Sequence, residues 1–185
     1  MTVHRTRQAR RVFRRQRPYA LSEAVCNVAL SQLTAAIGQR GAPSGIIGIA
    51  SGGRHPAEKI ADQLDVPLFH ATARHNATDD LYVQATGRVE IHLPTDLPRL
   101  LSGRFVIVDD ICGTGATLTA LTDALTPRRA PGTRLEWATL CRNIGSPIAP
   151  HWWCWEVDEW TVFPWEPRPT MRTQALTVPE GVRTS

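Results

Sequence analysis

The stretch RFVIVDDICGTGATLTAL, residues 104–121, constrains the fold most, because three different patterns follow one another in it without a break. Apolar residues 105–108 run directly into Asp109 and Asp110, which predicts a buried strand that ends in two carboxylates. The glycines and threonines of CGTGAT predict a tight turn, and the apolar spacing after them predicts a helix over residues 114–125. A strand, a polar turn and a helix in this order are typical of α/β proteins.

The rest of the chain continues this alternation of strands and helices. Continuous apolar runs predict strands at residues 45–50, 66–71 and 134–141, and three- and four-residue spacings predict helices at 21–37 and 56–64. Such runs favour a mostly parallel sheet that is covered by helices on both faces.

Two regions depart from this alternation. Residues 74–93 are polar and mixed, which predicts a long loop with or without a hairpin. The last fifth of the chain contains five of the six tryptophans and many prolines, which predicts a packed, irregular flap rather than another strand–helix repeat.

The arginine-rich N-terminus accounts for the positive net charge. Residues 1–17 contain seven arginines and no acid, whereas the remainder has 14 basic and 17 acidic side chains. The segment is interpreted either as a solvated, flexible extension or as an arm that neutralises nucleic-acid phosphates. The extension is favoured, because the segment carries no known nucleic-acid-binding motif. We therefore divide the chain into a basic tail, residues 1–17, and a single domain, residues 18–185.

Composition argues against several other classes of protein. No apolar run approaches the ~20 residues that span a bilayer, and the charged N-terminus has no apolar signal-peptide core, so we expect a cytoplasmic protein without a membrane partner. The cysteines lack CxxC or Cys/His spacing, which argues against zinc or a disulfide framework. Small buried hydrophobic side chains are the expectation for all four, Cys26, Cys112, Cys141 and Cys154.

Asp109 and Asp110 lie where open parallel sheets bind ligands, beyond the carboxyl end of a strand. Adjacent carboxylates repel each other unless a cation or hydrogen-bond donors approach, and a ribose diol or Mg²⁺ would serve. The glycine turn after them exposes backbone N–H groups before a helix, which favours an anion. Together these features predict a clamp for a sugar phosphate. The stretch lacks the lysine of a Walker A loop and the GxGxxG of a dinucleotide fold.

The motif VIVDDICGTGAT resembles the phosphoribosyl-pyrophosphate (PRPP) signature of the type I phosphoribosyltransferases. The resemblance implies an α/β fold with a mostly parallel sheet, flanking helices and a small C-terminal hood, at about residues 142–170 here. It implies that Asp109 and Asp110 are the catalytic pair, which holds the ribose hydroxyls, and Mg²⁺ is assigned to the same two carboxylates as cofactor. The 5-phosphate would lie on the turn formed by Gly113, Thr114, Gly115, Ala116 and Thr117.

Two further motifs extend the resemblance. GIASGGRHPAEKIADQL is similar to the pyrophosphate loop of the family, which often has an unusual cis peptide, here at Ala50–Ser51. WTVFPWE is similar to the hood of the short prokaryotic xanthine/guanine/hypoxanthine branch, which implies that Trp160 stacks on the base. Arg142 aligns with the lysine that reads the exocyclic oxygen of the base. The pyrophosphate contacts would come from Ser51, Gly52, Gly53 and Arg54.

The resemblance implies an enzyme that transfers the phosphoribosyl group of PRPP to a nucleobase and releases pyrophosphate. The hood motif favours a 6-oxopurine and a role in purine salvage. A different base is the alternative, because Gly113 stands where 6-oxopurine enzymes usually carry an aspartate near purine N7. A PRPP-sensing, nucleic-acid-binding regulator of the same fold is another alternative, which the arginine-rich tail would suit. Members of the family usually associate, so a homo-oligomer, dimer or tetramer, is expected.

Overall fold

The computed structural model describes residues 10–74 and 89–185. Within these ranges the chain forms ten strands and three α-helices. In chain order they are β1 (Tyr19–Ala20), α1 (Glu23–Gly38), β2 (Gly45–Ala50), α2 (Arg54–Leu64), β3 (Leu68–Arg74), β4 (Glu90–His92), β5 (Arg104–Cys112), α3 (Ala116–Leu125), β6 (Arg134–Asn143), β7 (Trp152–Val157), β8 (Thr161–Val162), β9 (Gln174–Ala175) and β10 (Arg183–Thr184).

The main sheet has seven strands in the order β10-β7-β6-β5-β2-β3-β4. Its five inner strands are parallel to one another, and the edge strands β4 and β10 pair antiparallel with β3 and β7 respectively. Strand β5 lies between β2 and β6, so its apolar residues 105–108 are buried on both faces of the sheet. The mostly parallel α/β architecture that the sequence predicts is confirmed.

Two apolar cores cover the two faces of this sheet. One joins side chains of α1 and α2 to β5, as in the packing of Leu30 and Ile60 with Val106. The other joins α3 to the opposite face, where Leu118 and Leu121 meet Ile107. Helix α1 begins after Ser22, whose hydroxyl accepts a hydrogen bond from the backbone N–H of Val25 at 3.3 Å.

A buried ion pair fixes the amino end of the central strands. Arg104 at the start of β5 donates to Glu136 of β6 at 2.8 Å, and both side chains are about 8% exposed. Arg104 also donates to the backbone carbonyls of Ile37 and Gly41 near the end of α1. Because β5 and β6 run parallel, the opposite end of the same strands is left for Asp109 and Asp110.

The tryptophan-rich segment is more regular than the sequence predicts. The run WWCWEV forms β7, which pairs in parallel with β6 and antiparallel with β10. Trp152, Trp153 and Trp155 are buried in it. The expectation of an irregular flap was therefore wrong here, because a run of large aromatic residues lacks the aliphatic signature that marked the other strands. All four cysteines are buried and free, as expected.

A second, smaller sheet lies outside the main one. It has the strand order β8-β1-β9, with Tyr19 paired to Thr161 on one side and to Gln174 on the other. We call it the small sheet. It ties residues 19–20, near the start of the described chain, to the segment that follows Trp160.

Strand β4 falls inside residues 74–93, which the sequence predicts as a loop with or without a hairpin, and it pairs antiparallel with β3. The greater part of that predicted loop, residues 75–88, lies outside the described residues. In the part of the chain that the structure describes, no helix has the length and apolar character that crossing a membrane requires.

Candidate functional site

Asp110 and the loop after β2 approach each other closely at the carboxyl end of the sheet. A Cβ atom placed on Gly52 would lie 2.6 Å from Cγ and 2.9 Å from Oδ1 of Asp110. The absence of a side chain at Gly52 therefore lets the 51–54 loop lie against the Asp110 carboxylate. The structure brings together two segments that are far apart in the sequence and that were predicted to share one ligand.

Gly53 fits between two strand ends. A Cβ atom here would lie 2.5 Å from the carbonyl oxygen of Val108 and 2.7 Å from that of Ile49, closer than real side chains approach. Gly53 precedes helix α2, which begins at the exposed Arg54. The peptide bond Ala50–Ser51 is cis, as the resemblance implied. The loop thus presents Ser51 and Arg54 at the same sheet end as the aspartates.

The turn 113–117 follows Asp110 directly and leads into α3. Gly115 has a φ of +82°, a left-handed conformation that strongly favours glycine, and it precedes the first residue of the helix. The Thr114 hydroxyl accepts a hydrogen bond from the backbone N–H of Ala116 at 3.3 Å. Thr117 lies in the first turn of α3, partly exposed. The start of α3 provides the N–H groups and the positive helix end that suit an anion.

The two aspartates carry raised pKa values. Burial and the charge of Asp110 hold the pKa of Asp109 well above its usual range. Burial and the charge of Glu166 raise the pKa of Asp110 to about 7. The Arg11 guanidinium lowers the pKa of both carboxyls. A buried carboxylate pair of this kind is stabilised in its ionised form by donors or cations that approach it.

The carboxylates also suit a magnesium ion. Mg²⁺ prefers oxygen ligands, and in phosphate-binding sites it usually takes one or two protein carboxylates together with oxygens of the substrate and water. Asp109 and Asp110 supply two carboxylates of that kind. Among the described residues no group of three or more His, Cys, Asp or Glu side chains is arranged to hold a metal. The residues therefore fit a metal that phosphate oxygens of a substrate help to bind.

Trp160 lies next to the small sheet, and side chains from the N-terminus surround it. Its ring centroid is 5.8 Å from that of Phe13 and 5.8 Å from Cζ of Arg11. The Glu159 carboxylate accepts a hydrogen bond from the Trp160 backbone N–H at 2.8 Å, and the Trp160 carbonyl accepts one from Tyr19 at 2.7 Å. Trp160 is therefore held in position through its backbone while its indole faces Arg11.

Arg142 forms hydrogen bonds with residues that follow it closely in the sequence. Its Nε donates to the Ile148 carbonyl at 3.1 Å, one terminal nitrogen to that of Ser146 at 2.8 Å, and the other to the Glu156 carboxylate at 2.8 Å. These contacts commit the guanidinium to the 144–156 segment. The assignment of Arg142 as a base-reading residue stays a prediction.

Residues 10–17 are the main feature that the sequence interpretation missed, and we call them the arm. Most residues of the arm are exposed, but the arm also makes contacts that the sequence did not predict, such as the pairing of Arg14 with Asp158 at 2.7 Å. Residues 1–9 lie outside the described residues. The available signal was Val12 and Phe13, two apolar residues that interrupt the arginine run. Asn143 and Glu159, which bind the arm, gave no sequence signal.

Comparisons with known proteins agree on the family. The family model described as "Phosphoribosyl transferase domain" matches residues 20–170. A purine phosphoribosyltransferase from Pyrococcus horikoshii Ot3 is 25% identical, with a TM-score of 0.72 over 86% of this chain and 100% of that chain. A search of curated protein sequences found no match.

Two further solved structures share the fold. The xanthine-guanine-hypoxanthine phosphoribosyltransferase of Helicobacter pylori is 17% identical, with a TM-score of 0.64 over 80% of this chain and 92% of that one. A hypoxanthine phosphoribosyltransferase of Staphylococcus aureus is 21% identical, with a TM-score of 0.55 over 73% of each chain. The fold and the matched domain define a transferase of the type I phosphoribosyltransferase class. The chain belongs to the phosphoribosyltransferase family.

Proposed function

We propose that this protein transfers the 5-phosphoribosyl group of PRPP to a 6-oxopurine, namely guanine, xanthine or hypoxanthine, and releases pyrophosphate. One observation carries the proposal: the 51–54 loop, the aspartate pair and the 113–117 turn converge at the carboxyl end of β2 and β5. These three segments offer backbone N–H groups and carboxylates at one place. PRPP has a diphosphate, a diol and a phosphate, and each segment suits one of them.

Each part of PRPP has a proposed binding partner. The ribose hydroxyls would donate hydrogen bonds to the carboxylates of Asp109 and Asp110. The 5-phosphate would lie at the start of α3, on the N–H groups of residues 113–117. The diphosphate would lie on Ser51 to Arg54, where Arg54 brings a positive charge. Mg²⁺ would be held by the two aspartates together with oxygens of PRPP, and its charge would neutralise part of the departing diphosphate.

The reaction breaks the bond between ribose C1 and the pyrophosphate oxygen, which leaves with the electron pair. A ring nitrogen of the base forms the new bond to C1, and the proton on that nitrogen passes to solvent. The developing charge at C1 needs no covalent partner from the protein. The residues named above therefore act by positioning and electrostatics, which are the larger contributions in reactions of this kind.

The nature of the base is proposed from the hood motif and from Trp160. An aromatic ring at this position offers a stacking surface for a planar base. The likeness to the purine phosphoribosyltransferase of Pyrococcus horikoshii supports a purine. We extend the proposal to a role in purine salvage, to a cytoplasmic location and to a dimeric or tetrameric assembly. The domain division at residue 18 and a hood at about residues 142–170 remain part of the proposal.

The test is pyrophosphate release from PRPP and Mg²⁺ with a panel of bases. We expect release with guanine, xanthine or hypoxanthine, and we expect Asp110→Asn to lower kcat/KM about tenfold to hundredfold, because it removes charge-assisted hydrogen bonds to the ribose. Asp123→Asn, an exposed residue of α3, is the matched control and should leave the rate unchanged. Release with other bases alone would replace the 6-oxopurine assignment, and no release with any base would refute the transferase proposal.

A further inference from the structure

The arm is fastened to the protein by contacts that use its backbone. Asn143 is fully buried, and its amide both accepts from the Val12 N–H at 2.8 Å and donates to the Val12 carbonyl at 3.0 Å. The Glu159 carboxylate accepts from the backbone N–H of Gln16 at 2.9 Å. A fully buried amide that serves both backbone groups of one residue indicates a fixed docking position. The arm is therefore held against the folded domain by these hydrogen bonds, and Arg11 lies next to the residue that they hold.

Arg11 lies in the gap between the 113–117 turn and Trp160. A Cβ atom on Gly113 would lie 2.7 Å from Cζ and 2.8 Å from a terminal nitrogen of Arg11, so any side chain at position 113 would displace the guanidinium. The same guanidinium lies 5.8 Å from the Trp160 ring centroid. The Arg11 guanidinium thus occupies the space that is open because residue 113 has no side chain.

The chemistry of this position differs from that of a carboxylate. A guanidinium has five N–H donors and accepts nothing, and it stays charged at all working pH values. Arg11 also acts on the charges of Asp109 and Asp110, which places its positive charge at the reacting end of the site. A planar ligand on Trp160 that reaches toward the ribose site would present one edge to these donors.

From this geometry we infer that Arg11 is a specificity-determining residue of the acceptor site, and that it selects bases that carry an exocyclic oxygen, an acceptor, where other bases carry an amino group. The inference rests on the proposed function, because it takes Trp160 as the stacking surface of the base. An oxo base satisfies the guanidinium donors. An amino base directs N–H groups at a cation that is itself a donor, so it binds less well.

The kinetic test compares hypoxanthine with adenine. Arg11→Ala should lower kcat/KM for hypoxanthine about tenfold to hundredfold and reduce the preference over adenine by a similar factor. Arg17→Ala removes one charge from the same arm at an exposed position and is the matched control, with no expected change in preference. Faster turnover in Arg11→Ala would show that the guanidinium blocks the site, and an unchanged preference would show that it does not read the base. Either result would overturn the inference.

A second variant approaches the same contact from the other side. Gly113→Ala forces the guanidinium out of its place, so it should also reduce the preference for hypoxanthine. Because both changes remove the same contact, their effects on this preference should combine less than additively in the double variant. Fully additive effects would show that Arg11 and Gly113 act independently, which would contradict the inference.

Binding without turnover separates this inference from the proposed function. Titration calorimetry should show that the wild-type protein binds inosine 5′-phosphate more tightly than ribose 5-phosphate, and that Arg11→Ala loses only the additional affinity. If that difference is found in a protein that releases no pyrophosphate from PRPP, the transferase proposal fails and the role of Arg11 stands. If the base adds no Arg11-dependent affinity, the role of Arg11 fails whatever the activity.

Discussion

At the scale of single residues, Gly52 is the point at which two segments of the candidate site depend on each other. The Asp110 carboxylate occupies the space that a Cβ atom at Gly52 would need, with Cγ 2.6 Å from it. A substitution at Gly52 therefore changes the position of an aspartate 58 positions further along the chain. The site is sensitive to the size of a residue that has no side chain and takes part only through its backbone.

Gly52→Ala should accordingly impair the use of PRPP. The added methyl group must push back either the 51–54 loop or Asp110, and overpacking of this kind destabilises by about 1–3 kcal/mol. We expect KM for PRPP to rise about tenfold or more, measured by pyrophosphate release at saturating base. Gly181→Ala is the matched control, because a Cβ there meets no atom within 4 Å. A Gly52→Ala enzyme with unchanged KM for PRPP would contradict the proposed role of the loop.

His151 gives the protein a pH dependence that is separate from the site. Its Nδ1 accepts a hydrogen bond from the Trp137 backbone N–H at 2.9 Å, so the ring must be neutral at that nitrogen. Burial is the main cause that lowers the pKa of His151 below its usual value of about 6.5, and Glu136 opposes this shift. Between the two pKa values, His151 binds a proton in the unfolded chain but not in the folded chain.

His151 should therefore lower the stability of the protein as the pH drops below about 6.5. The raised pKa values of Asp109 and Asp110 act in the opposite direction, because the folded chain binds protons there that the unfolded chain releases. The His151 contribution lowers the equilibrium constant for folding by at most about tenfold per pH unit, and the decrease ends below the pKa of His151 in the folded state. His151→Asn keeps an oxygen acceptor for Trp137 but does not titrate, so its stability should depend less on pH. Urea unfolding of both proteins at pH 7.5 and 5.5 measures the difference. Equal pH slopes would show that His151 does not contribute.

At the scale of structural elements, the arm packs beside the small sheet and is held there by side chains of the main domain. Its hold depends on Asn143, Asp158 and Glu159, which lie at the end of β6 and between β7 and β8. Of these, Asn143 is the strongest candidate for a test, because it is fully buried and bonds both backbone groups of Val12. Arg11 is held in place by an element that itself contains almost no regular secondary structure.

Asn143→Ala should release the arm while the main sheet stays folded. Removal of the amide takes away both hydrogen bonds to the Val12 backbone, at a cost of about 0.5–1.5 kcal/mol each. The arm has several arginines, so trypsin should cleave Asn143→Ala within residues 10–17 faster than it cleaves the wild-type protein. Gln32→Ala on α1, whose amide bonds the Pro179 carbonyl, is the control. Equal cleavage rates would show that Asn143 does not hold the arm.

The elements that the sequence predicted well are those in which local pattern and burial agree. Strand β2 matched its predicted bounds, and β5 ran further than predicted, through the aspartates to Cys112. These strands are buried on both faces, so a continuous aliphatic run identifies them. The 113–117 turn and the 51–54 loop were also predicted from local pattern, because their glycines mark places where the backbone turns tightly or approaches another segment closely.

What escaped prediction depends on contacts between distant parts of the chain. Strand β7 consists largely of aromatic residues and lacks the aliphatic run that identified the other strands, and β1 has only two residues, which carry no periodicity. The position of Arg11 depends on Asn143 and Glu159, more than 130 residues away. An arginine run is read as solvated by composition alone, whereas its docking follows from partners that only the folded chain brings together.

At the scale of the whole molecule, the site lies where both apolar cores end. Strand β5 contributes Val106 and Val108 to one core and Ile107 to the other, and it continues without interruption into the aspartate pair. The ion pair of Arg104 and Glu136 holds the opposite end of the sheet. The carboxyl end of β5 therefore brings two repelling carboxylates together directly after a buried strand, and a ligand that neutralises them should stabilise the domain.

PRPP with Mg²⁺ should therefore raise the melting temperature. A ligand at 100 times its Kd adds about 2.7 kcal/mol, which corresponds to about 5–10 °C for a domain of this size. Chelation of Mg²⁺ should remove most of the shift, because the aspartates and the diphosphate then face each other without a cation. The double change Asp109→Asn and Asp110→Asn relieves the repulsion in the free protein, so it should raise the starting temperature and reduce the response to PRPP. A double variant that responds as fully as the wild-type protein would place PRPP away from the aspartates.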